Sequence, residues 1–176
     1  MKYWKNGFYD EYQDGSVEIT DEYYNQLLAG QSAGLLIAES KKGCPILVVH
    51  EASIEEIRAQ KLDELRLFDS SEAVNQFSIN GVLGWLNKST RVGLMNSINI
   101  EKEAGRSETS IWIGDTKFVL SIERAIDILQ QLELYALACF NTTQRHTKAI
   151  QQLETKEEIK AYNYYVGYPG KLSFTG

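Results

Sequence analysis

Cysteine, proline and histidine each occur only twice in these 176 residues, and each scarcity removes a class of answer. Cys44 and Cys139 lie far apart in sequence, which excludes the dense framework of a disulfide-stapled secreted domain and makes a reducing compartment the default. With two prolines and 43% hydrophobic residues, the chain has no composition for long disordered tracts. It is long enough to bury a self-sufficient core. No apolar run approaches the roughly 18 residues needed to span a bilayer. The opening Met1-Lys2-Tyr3-Trp4-Lys5-Asn6 lacks the apolar stretch of a signal peptide, so the cytoplasm is the expected compartment. Nor do the thirteen glycines form a G-x-x-x-x-G-K-[ST] loop or a strand-borne G-x-G-x-x-G, and no nucleotide or other cofactor is expected.

Positive charge is also short. The net charge is −6, and the deficit sits at the front. Residues 1–50 carry four basic against seven acidic side chains, residues 51–70 three against six, and residues 71–176 eleven of each. Without a basic stripe to neutralise phosphates, nucleic acid and anionic lipid surfaces are not expected partners.

What is present reads as an α+β fold. Residues 1–50 form a small β-rich module: Asn6-Gly7 marks a hairpin, Thr20 caps a short helix that Gly30 stops, and 35–38 and 45–49 pair around Lys41-Lys42-Gly43. Ser53 and Glu56 have capping-box spacing, and the narrow apolar stripe Ile54, Ile57, Leu62, Leu65, Phe68 suggests a linking helix over 51–70. Residues 71–176 read as a domain of two β-hairpins packed on a long helix and shorter helices. Its hairpins turn at Asn80-Gly81 and Gly114-Asp115, and Asn87, Ser121 and Thr155 are helix caps. The long helix shows Ile122, Ile126, Leu129, Leu132, Ala136, Cys139, Phe140, His146 and Ile150 at helical spacing.

Candidate chemistry is thin. Cys44, His50, Cys139 and His146 are zinc-ligand types, but the pairs are separated by five and six residues, not the two to four of structural zinc sites. No metal site is expected. Cys139 and His146 share a helix face, yet their backbones sit roughly 10 Å apart along the axis, too far for a thiolate and its base. The carboxylate pairs Asp21-Glu22, Glu55-Glu56 and Glu157-Glu158 lie at first helical turns, where dipole and capping roles account for them. A glycosidase dyad would need acids about 5–10 Å apart across a cleft, which spacing in sequence does not address. No catalytic residues are assigned, and the chain is not read as an enzyme. Aromatic residues are the compositional oddity. Tyr3, Trp4, Phe8, Tyr9 and Tyr12 crowd one end, and Tyr164, Tyr165 and Tyr168 the other. Such rings serve cores and interfaces alike, so these eight are the candidate interface residues.

Residues 71–176 resemble a family of uncharacterised domains of bacteriophage tail proteins and of prophages in gut Bacteroidetes. The resemblance rests on Phe77-Ser78-Ile79-Asn80-Gly81, Trp85-Leu86-Asn87, Arg91 through Ile98, Trp112, Leu134-Tyr135-Ala136, His146, Ile150, Leu153, Tyr162 and Gly167 through Leu172. The first 50 residues are similar to the start of tail-fibre assembly proteins, through Ile19-Thr20-Asp21-Glu22-Tyr23, Leu27-Leu28-Ala29-Gly30-Gln31 and Gly43-Cys44-Pro45. The resemblance implies a non-catalytic tail-associated protein acting in tail-fibre assembly or fibre binding, in the bacterial host cytoplasm or the virion tail. Its partner would be a phage tail or fibre protein. A surface glycan, bound or cleaved, is the alternative, and the oligomeric state is open. The family brings no active-site residues. Of the matched positions, Trp85 and Trp112 read as core, and Arg91, polar within an apolar helix face, reads as an anchor for a neighbouring carbonyl or carboxylate.

Overall fold

The computed structural model describes residues 1–175 and divides into two compact units at Ser53/Ile54. The architecture is α+β.

In the first unit, β1 (Lys2–Trp4) lies between β2 (Phe8–Tyr9) and β3 (Val17–Ile19), both antiparallel to it. Pairing of Trp4 with Phe8 leaves a three-residue turn, and only Asn6, at φ 53°, takes the left-handed conformation there. Helix α1 (Asp21–Ser32) starts where Thr20 accepts a hydrogen bond from the Tyr23 amide. It runs past Gly30, contrary to the sequence expectation. The helix ends instead at Ser32, and Gly34 just beyond it, at φ 93°, makes the stop, with Leu35 N–H donating to the Gly30 carbonyl and Gly34 N–H to that of Gln31, the paired bonds of a Schellman motif. Gly30 has a different use: a Cβ there would stand 2.3 Å from Leu47. That close approach seats α1 on the hairpin β4 (Leu36–Glu39) and β5 (Pro45–Val48), where Tyr23 Oη also donates to the Pro45 carbonyl at 2.7 Å.

The second unit opens with α2 (Ile54–Asp69). The expected linking role is corrected: α2 packs on the long helix and on the short C-terminal helix, with Ile57 and Leu65 buried. Its narrow stripe misled because charged side chains complete the packing. Arg58 Nη2 donates to the Leu153 carbonyl at 2.8 Å, and Lys61 lies over the Tyr164 ring at 5.3 Å. The hairpin β6 (Phe77–Ile79) and β7 (Val82–Gly84) turns through Asn80 and Gly81, both at positive φ, as a type I′ turn requires. A strand not foreseen, β10 (Ser173–Phe174), adds parallel to β6.

Helix α3 (Lys88–Glu103) is capped by Asn87, and the hairpin β8 (Glu108–Ile113) and β9 (Thr116–Ser121) follows it. Ser121 then caps α4 (Ile122–Gln152), whose 31 residues make a rod of about 46 Å. The reciprocal capping box of Thr155 and Glu158 starts α5 (Lys156–Ala161). Hairpins, α3 and α4 share one apolar core, including Phe77, Ile98, Ile111, Ile113, Ile122, Leu129 and Leu132.

Candidate functional site

The expected interface residues divide by burial. Trp4 is 7% exposed, its ring edge-on to Phe8, and Phe8 in turn meets Tyr24 at 4.7 Å between centroids. Tyr164, at 4%, is likewise internal. These two are corrected from contact surface to support. Pairing explains Trp4, which sits on the central strand of its sheet between Phe8 and Val17, and the packing of α2 explains Tyr164. Tyr12 and Tyr9 do face solvent, at 62% and 42%, and Tyr12 is braced edge-on by half-buried Tyr3 at 5.8 Å. In the second unit Tyr165 is 62% exposed, stands perpendicular to Phe68 at 4.9 Å, and its hydroxyl lies 3.1 Å from that of Tyr164. Tyr164 also reaches Glu64 at 3.5 Å. Burial pushes the Tyr164 phenol well above its ordinary pKa, so it stays protonated and can donate. Tyr168, packed on Phe68 and half-buried, belongs to the support.

Trp112 was expected in the core and is 60% exposed. The register of β8 turns Ile111 and Ile113 inward, so Trp112 must point out, near Val119 on the same face of the hairpin. Strict alternation in Thr109 through Ile113 is the signal that could have placed it.

Arg91 holds the place expected of an anchor. Only 6% exposed, it donates from Nε to Glu133 at 2.7 Å and from Nη1 to the Leu86 carbonyl at 2.5 Å, with its guanidinium 5.3 Å from the Trp85 ring centroid. Carboxylate and carbonyl are both engaged, and α3 is thereby tied to α4.

Polar residues on α4 form a second network, in which His146 lies on the periodic stripe and Thr143 does not. Thr143 donates to Asp69 at 2.6 Å, and since that spends its proton, the Tyr168 hydroxyl donates to Thr143 at 2.9 Å. His146 stacks on Tyr168 with centroids 5.8 Å apart. A carbonyl only accepts, so His146 Nε2 donates to Val166 at 2.9 Å, while Nδ1 is 2.8 Å from the Tyr162 hydroxyl. Both ring nitrogens are thus engaged within the fold. Burial raises the pKa of the Cys139 thiol, the opposite of thiolate activation, and its neighbour Tyr135 donates to the Val74 carbonyl at 2.7 Å. Among the described residues no three His, Cys, Asp or Glu side chains are grouped to hold a metal ion, and no helix is long and apolar enough to cross a membrane.

No protein-family model matches the sequence, and no curated protein or solved structure matches it.

Proposed function

We propose that this chain is a non-catalytic phage or prophage tail-associated protein that acts in tail-fibre assembly or fibre binding through protein–protein contacts. Exposed aromatic rings carry the reading: Tyr9 and Tyr12 in the first unit, the latter braced by Tyr3, and Trp112 and Tyr165 in the second, the latter braced by Phe68. Rigid amphipathic rings bring large contact area at low entropic cost, which is why Trp and Tyr dominate binding hot spots. His146 and Thr143 are engaged by partners inside the fold, and the buried Cys139 thiol is held protonated. The sequence resemblance to tail proteins supplies the class of partner. Co-expression with the tail-fibre protein of the same phage genome tests it. A complex should copurify, and a fibre protein that is soluble and separate would overturn the proposal.

Glycan binding or cleavage is the second reading, favoured by Tyr165, an exposed ring beside the hydroxyl of Tyr164 and the carboxylate of Glu64. Sugar rings stack on such platforms while carboxylates accept their hydroxyls. Specific signals on a glycan array that vanish in Tyr165→Ala would favour it. A blank array with folded protein would retire it.

A further inference from the structure

The outward face of α4 carries Leu134, Leu137 and Phe140, exposed to 67%, 53% and 56%. Phe140 was expected inside. At 3.6 residues per turn, positions three apart fan by about 60°, so the three side chains spread across one arc with Leu137 at its middle. Charge is scarce on this arc. From Gln130 to Gln144 the exposed residues of α4 are Gln130, Gln131, Glu133, Leu134, Leu137, Phe140, Asn141 and Gln144, of which only Glu133 is ionisable. The helix is charged on either side, at Glu123, Arg124 and Asp127 before it and Arg145 and Lys148 after it. Depletion of charge around apolar anchors marks the centre of interfaces, whereas a solvated helix face carries charge throughout.

We infer that this face joins two copies of the chain, with α4 crossing its symmetry mate antiparallel at Leu137. The surface is its own complement. A two-fold through Leu137 sets that residue against itself, and brings Leu134 of each copy level with Phe140 of the other, because each lies three residues, about 4.5 Å, from the crossing point. Beside Leu137 and Phe140 is a depression of about 310 Å³, lined also by Lys88, Arg91, Glu133 and Ala136, which has room for a leucine side chain of the second copy. Charge agrees with this docking. Exposed Lys88 borders the Phe140 end of the arc, and the antiparallel mate carries its half-exposed Glu133 to that same end, which gives two symmetric ion pairs and no clash of like charges.

Size sets the affinity. The three side chains offer on the order of 100 Å² each, about 600 Å² over both copies before half-exposed Val92 and the flanking amides are added, which places the contact among weak, transient interfaces, and a micromolar or looser dimer is expected. Sedimentation equilibrium over roughly 1 to 200 µM should show the mass rising towards twice the monomer value, and Leu137→Asp should hold it at one without lowering the melting temperature. Position is tested by cysteine cross-linking in a Cys44→Ser background. Leu137→Cys should form a covalent dimer under mild oxidation, whereas Lys148→Cys, roughly 16 Å along the helix, should not. A parent that stays monomeric, a dimer indifferent to Leu137→Asp, or equal cross-linking at both positions would overturn the inference and leave the face to a different protein. Should Leu137→Asp fail to fold, the cross-linking comparison still decides. The tail-assembly proposal stands or falls separately, on whether a fibre protein copurifies.

Discussion

Replacing Arg91 with methionine keeps an unbranched buried stem and removes only the guanidinium, so the cost is the sum of what that group does for its three neighbours. The Leu86 carbonyl gives up a donor at 2.5 Å within the core, which costs about 1–3 kcal/mol. The stacking on Trp85 contributes about 0.5–1 kcal/mol. Glu133 is 50% exposed and returns to water, so its share of the ion pair is under about 1 kcal/mol. The sum is about 1.5–5 kcal/mol, which for a unit of this size lowers the melting temperature by roughly 5–20 °C. Glu133→Gln retains an acceptor for Arg91 Nε and should cost less than about 1 kcal/mol. Urea unfolding followed by circular dichroism measures both, and the m-value should stay constant. If Glu133→Gln proves as damaging as Arg91→Met, or if Arg91→Met is neutral, the hydrogen bond to the Leu86 carbonyl does not do what the geometry assigns to it.

Gly84→Ala drives a methyl to 2.3 Å from the β-branched Ile113, which is 2% exposed and cannot yield, so about 1–3 kcal/mol of overpacking should appear in thermal unfolding of the second unit. Gly30→Ala should lower the stability of the first unit although alanine is the better helix former by about 1 kcal/mol, since Leu47 occupies the space, and a gain in melting temperature would refute this. Hydrogen bonds from the Thr155 hydroxyl and amide hold the Glu158 carboxyl below its ordinary pKa of 4.5. A lowered carboxylate pKa means that its stabilisation is present above about pH 4.5 and lost as the pH falls through the folded-state value. Thr155→Ala should therefore melt lower than the parent at pH 7, with the gap closing in acid.

Local chemistry was legible wherever the determinant was local. Thr20, Asn87, Ser121 and Thr155 each cap the helix that follows, and Asn80-Gly81 forms the expected turn. Tertiary packing was not. Gly30 looked like a stop because its true constraint, Leu47, lies on a different element. The helix over 54–69 looked like a linker because the stems of Arg58 and Lys61 do part of its packing, and apolar counting does not see them. On α4 the periodic stripe placed His146 inside and left Leu134 and Leu137 out of the core, but it did not foresee that Thr142 and Thr143 would be buried and Phe140 exposed. The parallel strand at 173–174 is too short to carry a pattern. Of the candidate interface residues, composition found the aromatic clusters, but only strand register and packing separated Tyr9, Tyr12 and Tyr165 from Trp4 and Tyr164, and brought Trp112 to the surface.

Affinity for the fibre protein proposed as partner, measured by calorimetry alongside melting temperature in two sets of variants, tests most directly whether contact surface is the working part of this molecule. Alanine at Tyr9 and Tyr12 should weaken binding at least about ten-fold, equivalent to about 1.4 kcal/mol, with the fold intact. His146→Leu, which leaves the Val166 carbonyl and Tyr162 hydroxyl without their partner, should lower the melting temperature and leave affinity unchanged. The reverse result, neutral ring variants with binding or turnover lost at His146, would contradict the account.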